Sequence, residues 1–207
     1  MTRILILICL IYSPIFGQSP GKVGIKASLV IPNAPLSNYV TMGKGFSLQF
    51  NSKYVYQVRG RFSFDYVKYS PKDSAFQTYT ENGGKINPAS IQYTKYATVD
   101  MNYGMDFNPF KSWIPEIYMG PQVFMGADAG SYIQKDQYNG TQDDNGIFFH
   151  FGYKFHLGYE KRMGPITLFG EYTFSKVALT DNINIPTYSL NSTTKYNRHQ
   201  IGLGIRF

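Results

Sequence analysis

The sequence predicts an all-β protein, an eight-stranded antiparallel up-and-down β-barrel that crosses a membrane. Aromatic residues make up 17% of the 207 residues and there are 20 glycines, a composition that favours strands and turns over a helical bundle. Beyond the first dozen residues no apolar run is long enough for a transmembrane helix. Eight segments alternate apolar and polar residues, and long and short connections between them also alternate.

The first 17 residues have the character of a secretory signal peptide. Arg3 precedes an apolar run over residues 4–12 that is too short to span a bilayer, and Gly17 supplies a small residue before a cut at Gln18. We therefore expect residues 1–17 to be a signal peptide and residues 18–207 to be the barrel domain. Cys9 would leave with the signal, so the mature chain would have no disulfide.

The formal charge of +7 at pH 7 could suggest a nucleic-acid partner. The basic residues are dispersed, however, and no recognition motif accompanies them, so no nucleic acid is expected as a partner. The positive charge instead predicts attraction to anionic lipid headgroups.

Eight segments of period two account for the predicted strands. The segments are residues 23–31, 45–50, 54–66, 93–107, 117–127, 149–160, 166–175 and 196–207. In the first and second, apolar residues such as Ile25 and Phe46 alternate with polar or small ones such as Lys26 and Ser47. The third has an aromatic face that is nearly continuous, which is more than a soluble strand usually carries.

The remaining segments differ in the clarity of their alternation. In the fourth, Val99 and Met101 face away from Asp100. The fifth is the weakest, and we expect a bulge at Pro121, which cannot donate a ladder hydrogen bond. The sixth is the clearest, because an aromatic residue or leucine follows each polar residue or glycine from His150 to Tyr159, and the seventh and eighth keep the same period.

The connections favour a membrane barrel over a soluble sandwich. Long polar connections are expected near residues 32–43, 70–90, 128–147 and 177–195, and shorter ones near 51–53, 108–115 and 161–165. An up-and-down membrane barrel has short periplasmic turns and long external loops. Trp113, in one of the shorter connections, is expected at the periplasmic membrane interface as part of an aromatic belt.

The C-terminal residues resemble the insertion signal of bacterial outer-membrane barrels. In that signal a polar residue and a glycine precede alternating apolar residues and a terminal aromatic, and Gln200, Gly202, Ile205 and Phe207 occupy those positions. The chain as a whole is similar to the OmpA/OmpX-type small barrels, and its Tyr-, Phe- and Asn-rich composition resembles porin-like barrels of the Bacteroidetes type.

This resemblance implies a multi-pass protein of the bacterial outer membrane with its long loops extracellular. It implies contact with outer-membrane lipid and lipopolysaccharide, and with the barrel-assembly machinery during insertion. Family roles include envelope stability, adhesion, accessory subunits of larger outer-membrane complexes and, in a few members, lipid A modification. The resemblance does not choose among these roles.

Charged residues on the inward faces are expected to pair inside the barrel, because an unpaired buried charge is costly. The expected network consists of Arg59, Arg61, Asp65, Asp100, Lys154, His156, Glu160, Glu171 and Arg206. A turn over residues 161–165 would place Glu171 across from Lys154 and His156. A polar plug is one interpretation of this interior, and an ion path or proton-sensitive switch through His150 and His156 is another.

The sequence gives little support for catalysis. The His-x-Ser pair of the lipid A deacylases is missing, and a group of Ser175, His156 and Glu171 in the lumen would have no access to a lipid. No cofactor or metal is expected, since the acidic run at Asp143 does not match calcium-loop spacing. The expected function is thus a non-enzymatic structural or interaction role, including that of an accessory subunit; the alternative is a narrow pore for ions or small solutes.

Overall fold

The structure is a computed structural model that describes residues 22–34, 36–73, 76–82, 85–110, 112–136, 140–179 and 195–207. These residues form nine antiparallel strands. The strands are β1 (Lys22–Pro32), β2 (Val40–Asn51), β3 (Val58–Pro71), β4 (Phe76–Asn82), β5 (Lys85–Phe107), β6 (Ile117–Asp136), β7 (Gly140–Met163), β8 (Ile166–Leu179) and β9 (Lys195–Arg206). A short 3-10 helix, Leu36–Asn38, lies between β1 and β2. The expected signal peptide, residues 1–17, lies outside the described residues.

Eight of these strands close into a barrel. Each of the eight pairs with the barrel strand before it and the one after it in sequence, and the pairing of β1 with β9 closes the barrel. β3 pairs directly with β5, although the short strand β4 comes between them in sequence. The predicted eight-stranded antiparallel up-and-down barrel is confirmed. β4 is an addition that pairs with the first part of β5, outside the barrel wall.

The two faces of the wall differ in the way that the alternation predicts. Inward side chains are buried and mostly polar, whereas outward side chains are apolar and exposed, as at Phe46, Tyr66, Val123 and Leu203. A wall of exposed aromatic and aliphatic side chains around a polar interior would be unstable in water and suits the hydrocarbon layer of a membrane. The chain therefore has the architecture of an outer-membrane β-barrel. No helix within the described ranges is long and apolar enough to cross a membrane.

The barrel has two unlike ends, which we call the turn end and the loop end. The turn end holds the β2–β3, β5–β6 and β7–β8 connections and Phe207, whose backbone N–H donates to Val23 O at 2.9 Å. The loop end holds the β1–β2 connection with its 3-10 helix. Trp113 lies at the turn end in the β5–β6 connection, where its side chain is 86% exposed.

Two of the predicted long loops are strands instead. β6 and β7 run on as a ladder as far as the pair Asp136 and Gly140, and β4 forms a hairpin with β5 in the region predicted as a loop. With the upper part of β5 they form a projecting sheet, β4–β7, beyond the barrel rim. Residues of its outer part such as Lys135 and Asp143 are polar and exposed, so the sequence there shows no alternation of apolar and polar residues. Residues 180–194 of the fourth expected loop lie outside the described residues.

Two local predictions at the turn end are wrong. β3 begins at Val58, not at residue 54, because residues 52–57 form the turn and Tyr56 adopts φ 57°. The β7–β8 turn is only Gly164 and Pro165, since Gly164 takes φ 64° and lets Met163 pair with Ile166.

The expected bulge at Pro121 is wrong. β5 and β6 keep one register on both sides of Pro121, which itself stands opposite Phe155 of β7. The direct pairs between Gly104 and Phe107 are simply missing there, so the proline interrupts the ladder without shifting it. The register shift in this pair of strands lies between Tyr93 and Lys95 instead.

Candidate functional site: the charged interior of the barrel

A cluster of charges centred on Asp106 fills the interior near the turn end. Arg59 Nε lies 2.6 Å from Asp106 Oδ2, and Arg61 Nη1 lies 3.3 Å from Asp106 Oδ1. His156 Nε2 is 2.8 Å from the same Oδ1 atom. Three nitrogen-bearing side chains from β3 and β7 therefore converge on one fully buried carboxylate of β5.

Glu160 extends this cluster towards the turn-end mouth. It accepts two hydrogen bonds from Arg59, at 3.1 and 2.9 Å, and forms an ion pair with Arg206. Arg206 also lies over the Phe169 ring, 4.0 Å from its centroid. Tyr54 lies in the turn before β3, and the centroid of its ring is 4.6 Å from Arg59 Cζ. Burial raises the pKa of the Tyr54 hydroxyl to about 12.

Glu171 joins strands from opposite parts of the chain. Lys26 Nζ is 2.8 Å from Oε1, Arg61 Nη2 is 2.5 Å from Oε2, and the Tyr118 hydroxyl donates to Oε2 at 3.2 Å. The expected positions across from Glu171 were wrong. Gly158 stands opposite it, and His156 stands opposite Thr173, because the two-residue turn shifts the register.

A second charged cluster lies nearer the loop end, around Asp100. Asp65 and Asp100 are direct partners in the register of β3 and β5, and Lys154 Nζ lies 2.9 Å from a carboxylate oxygen of each. Arg198 Nη2 is 2.7 Å and His150 Nε2 is 2.7 Å from Asp100. The two carboxylates would repel one another without the lysine between them, so this cluster is a set of mutually dependent charges.

Above these charges the interior becomes aromatic and apolar. The buried residues of this cap are Val30, Leu36, Val40, Val67, Tyr69, Tyr96, Phe124, Val177 and Tyr196. Tyr69 and Tyr96 pack edge to face with ring centroids 5.8 Å apart, and Tyr196 donates to Asp128 at 3.2 Å. Through this hydrogen bond, the aromatic cap contacts the charged layer below it.

Side chains from all eight barrel strands close the interior. One from each strand, in chain order, is Lys26, Gln49, Arg61, Asp106, Tyr118, His156, Glu171 and Arg206, and none is more than 5% exposed. Among the described residues, solvent therefore does not pass through the barrel at this level. At this level the charged side chains contact one another in ion pairs.

Some interior groups were not in the network expected from the sequence. The groups that were missed, all of which take part in ion pairs, are Lys26, Asp106, Asp128, His150 and Arg198. The alternation places four of them on inward faces, which was the available signal. Asp128 gave no such signal, since it falls at the start of a predicted loop. The residues proposed as the C-terminal insertion signal, Gln200, Gly202, Ile205 and Phe207, lie on β9 and at its end, and Phe207 is exposed.

Ser175, which the sequence grouped with His156 and Glu171, stands opposite Lys154 and Arg198 in the register. Within the described ranges, no group of three or more His, Cys, Asp or Glu side chains is arranged to hold a metal ion.

The chain is similar to solved structures of bacterial outer-membrane proteins, three of which follow, while no protein-family model and no curated protein matches its sequence. Neisserial surface protein A is 16% identical, with a TM-score of 0.39 over 91% of this chain and 96% of that one. A major outer membrane protein from Thermus thermophilus is 11% identical, with a TM-score of 0.48 over 89% and 99%. The attachment invasion locus protein Ail of Yersinia pestis, solved with the heparin analogue sucrose octasulfate, is 12% identical, with a TM-score of 0.39 over 91% and 100%. At these identities and TM-scores, neither a ligand nor an activity transfers from those proteins to this chain.

Proposed function

We propose that the chain is an integral protein of the bacterial outer membrane with a structural or interaction role and no catalytic one. The observation that carries this proposal is the closed interior, in which paired charges and an aromatic cap fill the barrel from the turn end to the loop end. A barrel that neither conducts nor exposes a reactive centre acts through its outer surfaces. Its partners would be outer-membrane lipid, lipopolysaccharide and, during insertion, the barrel-assembly machinery.

The projecting sheet is the surface best suited to a protein partner. β5, β6 and β7 have 23, 20 and 24 residues, whereas β1, β2 and β9 have 11 or 12, so one side of the wall extends well beyond the other. It presents polar side chains such as Lys135 and Asp143 to solvent. The proposal is that this sheet is extracellular and docks a larger outer-membrane complex, for which the chain would be an accessory subunit.

Recovery from native membranes tests the interaction role. The full chain would carry an affinity tag within residues 180–194 and be extracted in mild detergent, beside a variant in which an Asn-Gly turn replaces residues 134–142. Stoichiometric recovery of a larger complex with the full chain, and its loss with the trimmed variant, is the expected result. The accessory role fails if the full chain is recovered alone, or if trimming leaves the complex intact.

The alternative of a narrow pore has less support. A pore needs a hydrated path, and the groups that would line it, such as Arg61 and His156, are buried against their partners. No described contact favours transport over the interaction role.

A further inference from the structure

Two lysines lie side by side on the outer wall near the loop end. Lys44 of β2 and Lys68 of β3 are direct partners in the register of the two strands, and both are exposed. The Cβ atoms of directly opposed residues in an antiparallel pair lie about 5 Å apart. Like charges at that separation destabilise a sheet, so an anion that contacts both ammonium groups would stabilise the pair.

The surroundings of this lysine pair supply no such group. The neighbouring positions in the register are Leu29 on the β1 side and Ala97 on the β5 side. The next outward pair towards the middle of the wall is Phe46 and Tyr66, both exposed. Among the described residues, no carboxylate forms an ion pair with either lysine. The pair therefore stands as two uncompensated positive charges at the edge of an apolar wall.

We propose that Lys44 and Lys68 together bind one phosphate group of a lipid A molecule in the leaflet at the loop end. A phosphate has enough acceptor oxygens for two ammonium groups, and lysine stems reach from an apolar wall to the headgroup layer. The aromatic pair Phe46 and Tyr66 would then contact the acyl chains of the same lipid. This inference rests on the outer-membrane location proposed above and deepens it by naming a lipid site.

Native mass spectrometry of the detergent-purified barrel with added lipid A tests the site. The test variant is Lys44→Gln with Lys68→Gln. The matched control is Lys53→Gln with Lys161→Gln, which removes two exposed lysines from the turn end. A third variant, Lys44→Arg with Lys68→Arg, keeps the charge. We expect affinity to fall about fivefold for each lysine lost, hence about 25-fold in the test variant, and to be retained in the other two.

Two further ligands, dephosphorylated lipid A and inorganic phosphate, distinguish the contribution of the phosphate group to binding from that of the rest of the lipid. Dephosphorylated lipid A is expected to bind the native chain about as weakly as lipid A binds the test variant. The proposal is overturned if the test variant and its control bind lipid A equally, or if dephosphorylated lipid A binds the native chain at full strength. It is also overturned if inorganic phosphate alone binds as tightly as lipid A.

The outcome is independent of the partner assay above. The purified barrel is tested here without any protein partner, so an absent lipid site would leave the accessory role standing. Loss of the accessory role would likewise leave lipid A binding unchanged.

Discussion

The buried carboxylate of Asp106 contacts three side chains, those of Arg59, Arg61 and His156. Removing charges from water costs several kcal/mol per ion, and this cost is offset only when the geometry is good and the remaining polar atoms are hydrogen-bonded. Arg59 divides its donors between Asp106 and Glu160, and Arg61 divides its donors between Asp106 and Glu171. Each charge in this region therefore depends on more than one neighbour, which makes the loss of one carboxylate expensive.

Replacing Asp106 with asparagine is expected to destabilise the barrel by about 3–5 kcal/mol, because it leaves Arg59 and Arg61 short of a counter-charge in a buried site. Urea-induced unfolding in lipid vesicles, followed by circular dichroism, measures the loss. Asp143→Asn on the exposed part of β7 is the control and should change stability little. Equal unfolding midpoints for the two variants would show that the Asp106 cluster does not stabilise the barrel.

Gly158 provides the space that Tyr118 occupies. A Cβ at residue 158 would overlap the Tyr118 ring, at 2.7 Å from Cε1 and closer to Cζ and Oη. The ring is buried, and its hydroxyl is held by Glu171 and Arg206, so it cannot move freely. Gly158→Ala is therefore expected to cost about 1–3 kcal/mol in the same unfolding experiment.

The control for this prediction is Gly170→Ala. The nearest heavy atom to a Cβ at residue 170 is Leu203 Cδ2, at 3.3 Å, on the outer wall. If Gly170→Ala proves as destabilising as Gly158→Ala, the effect belongs to the strand backbone and not to the packing of Tyr118.

Alternation along the strands is enough to tell which side chains point inward, but it does not identify their partners. Lys26 and Glu171 are 145 residues apart in sequence, and they meet because β1 and β8 both flank β9. The partner of an inward charge depends on the stagger between several strands. An error in one turn propagates through that stagger, as the misplaced Glu171 shows.

At the level of whole strands, the parts that face lipid are predictable and the parts beyond it are not. Contact with lipid favours apolar residues on the outward face, which produces a period of two in β3 and β7. In the outer part of β6 and β7, backbone hydrogen bonds continue the ladder through polar residues such as Lys135 and Asp143, which do not show that pattern. Sequence reasoning therefore finds eight strands but takes the projecting sheet for loops.

Phe207 allows assembly to be separated from stability. Its ring is 62% exposed, so Phe207→Ala should lower the stability of the refolded barrel by no more than about 1 kcal/mol. If Phe207 is part of an insertion signal, the same change should reduce the amount of inserted protein in cells severalfold. Fractionation of outer membranes measures that amount.

Leu203→Ala provides the matched control, since Leu203 lies on the same outward face of β9 and is 73% exposed. Similar insertion of the two variants would remove the assembly role from Phe207. A large loss of refolded stability in Phe207→Ala would instead indicate a packing role.

For the molecule as a whole, the interior is nearly balanced in charge. Six basic side chains are buried inside the described barrel, namely Lys26, Arg59, Arg61, Lys154, Arg198 and Arg206. The carboxylates that face them are Asp65, Asp100, Asp106, Asp128, Glu160 and Glu171. The six basic and six acidic groups cancel, so the positive net charge of the chain arises from residues outside this set.

Single-channel recording in planar bilayers tests the central claim most directly, namely that the barrel is closed. The native chain is expected to insert and to show no stable conductance steps, because side chains from every barrel strand fill the lumen. A steady conductance from the native chain that changes with Glu171→Gln would contradict this account, since current would then pass through the charged interior.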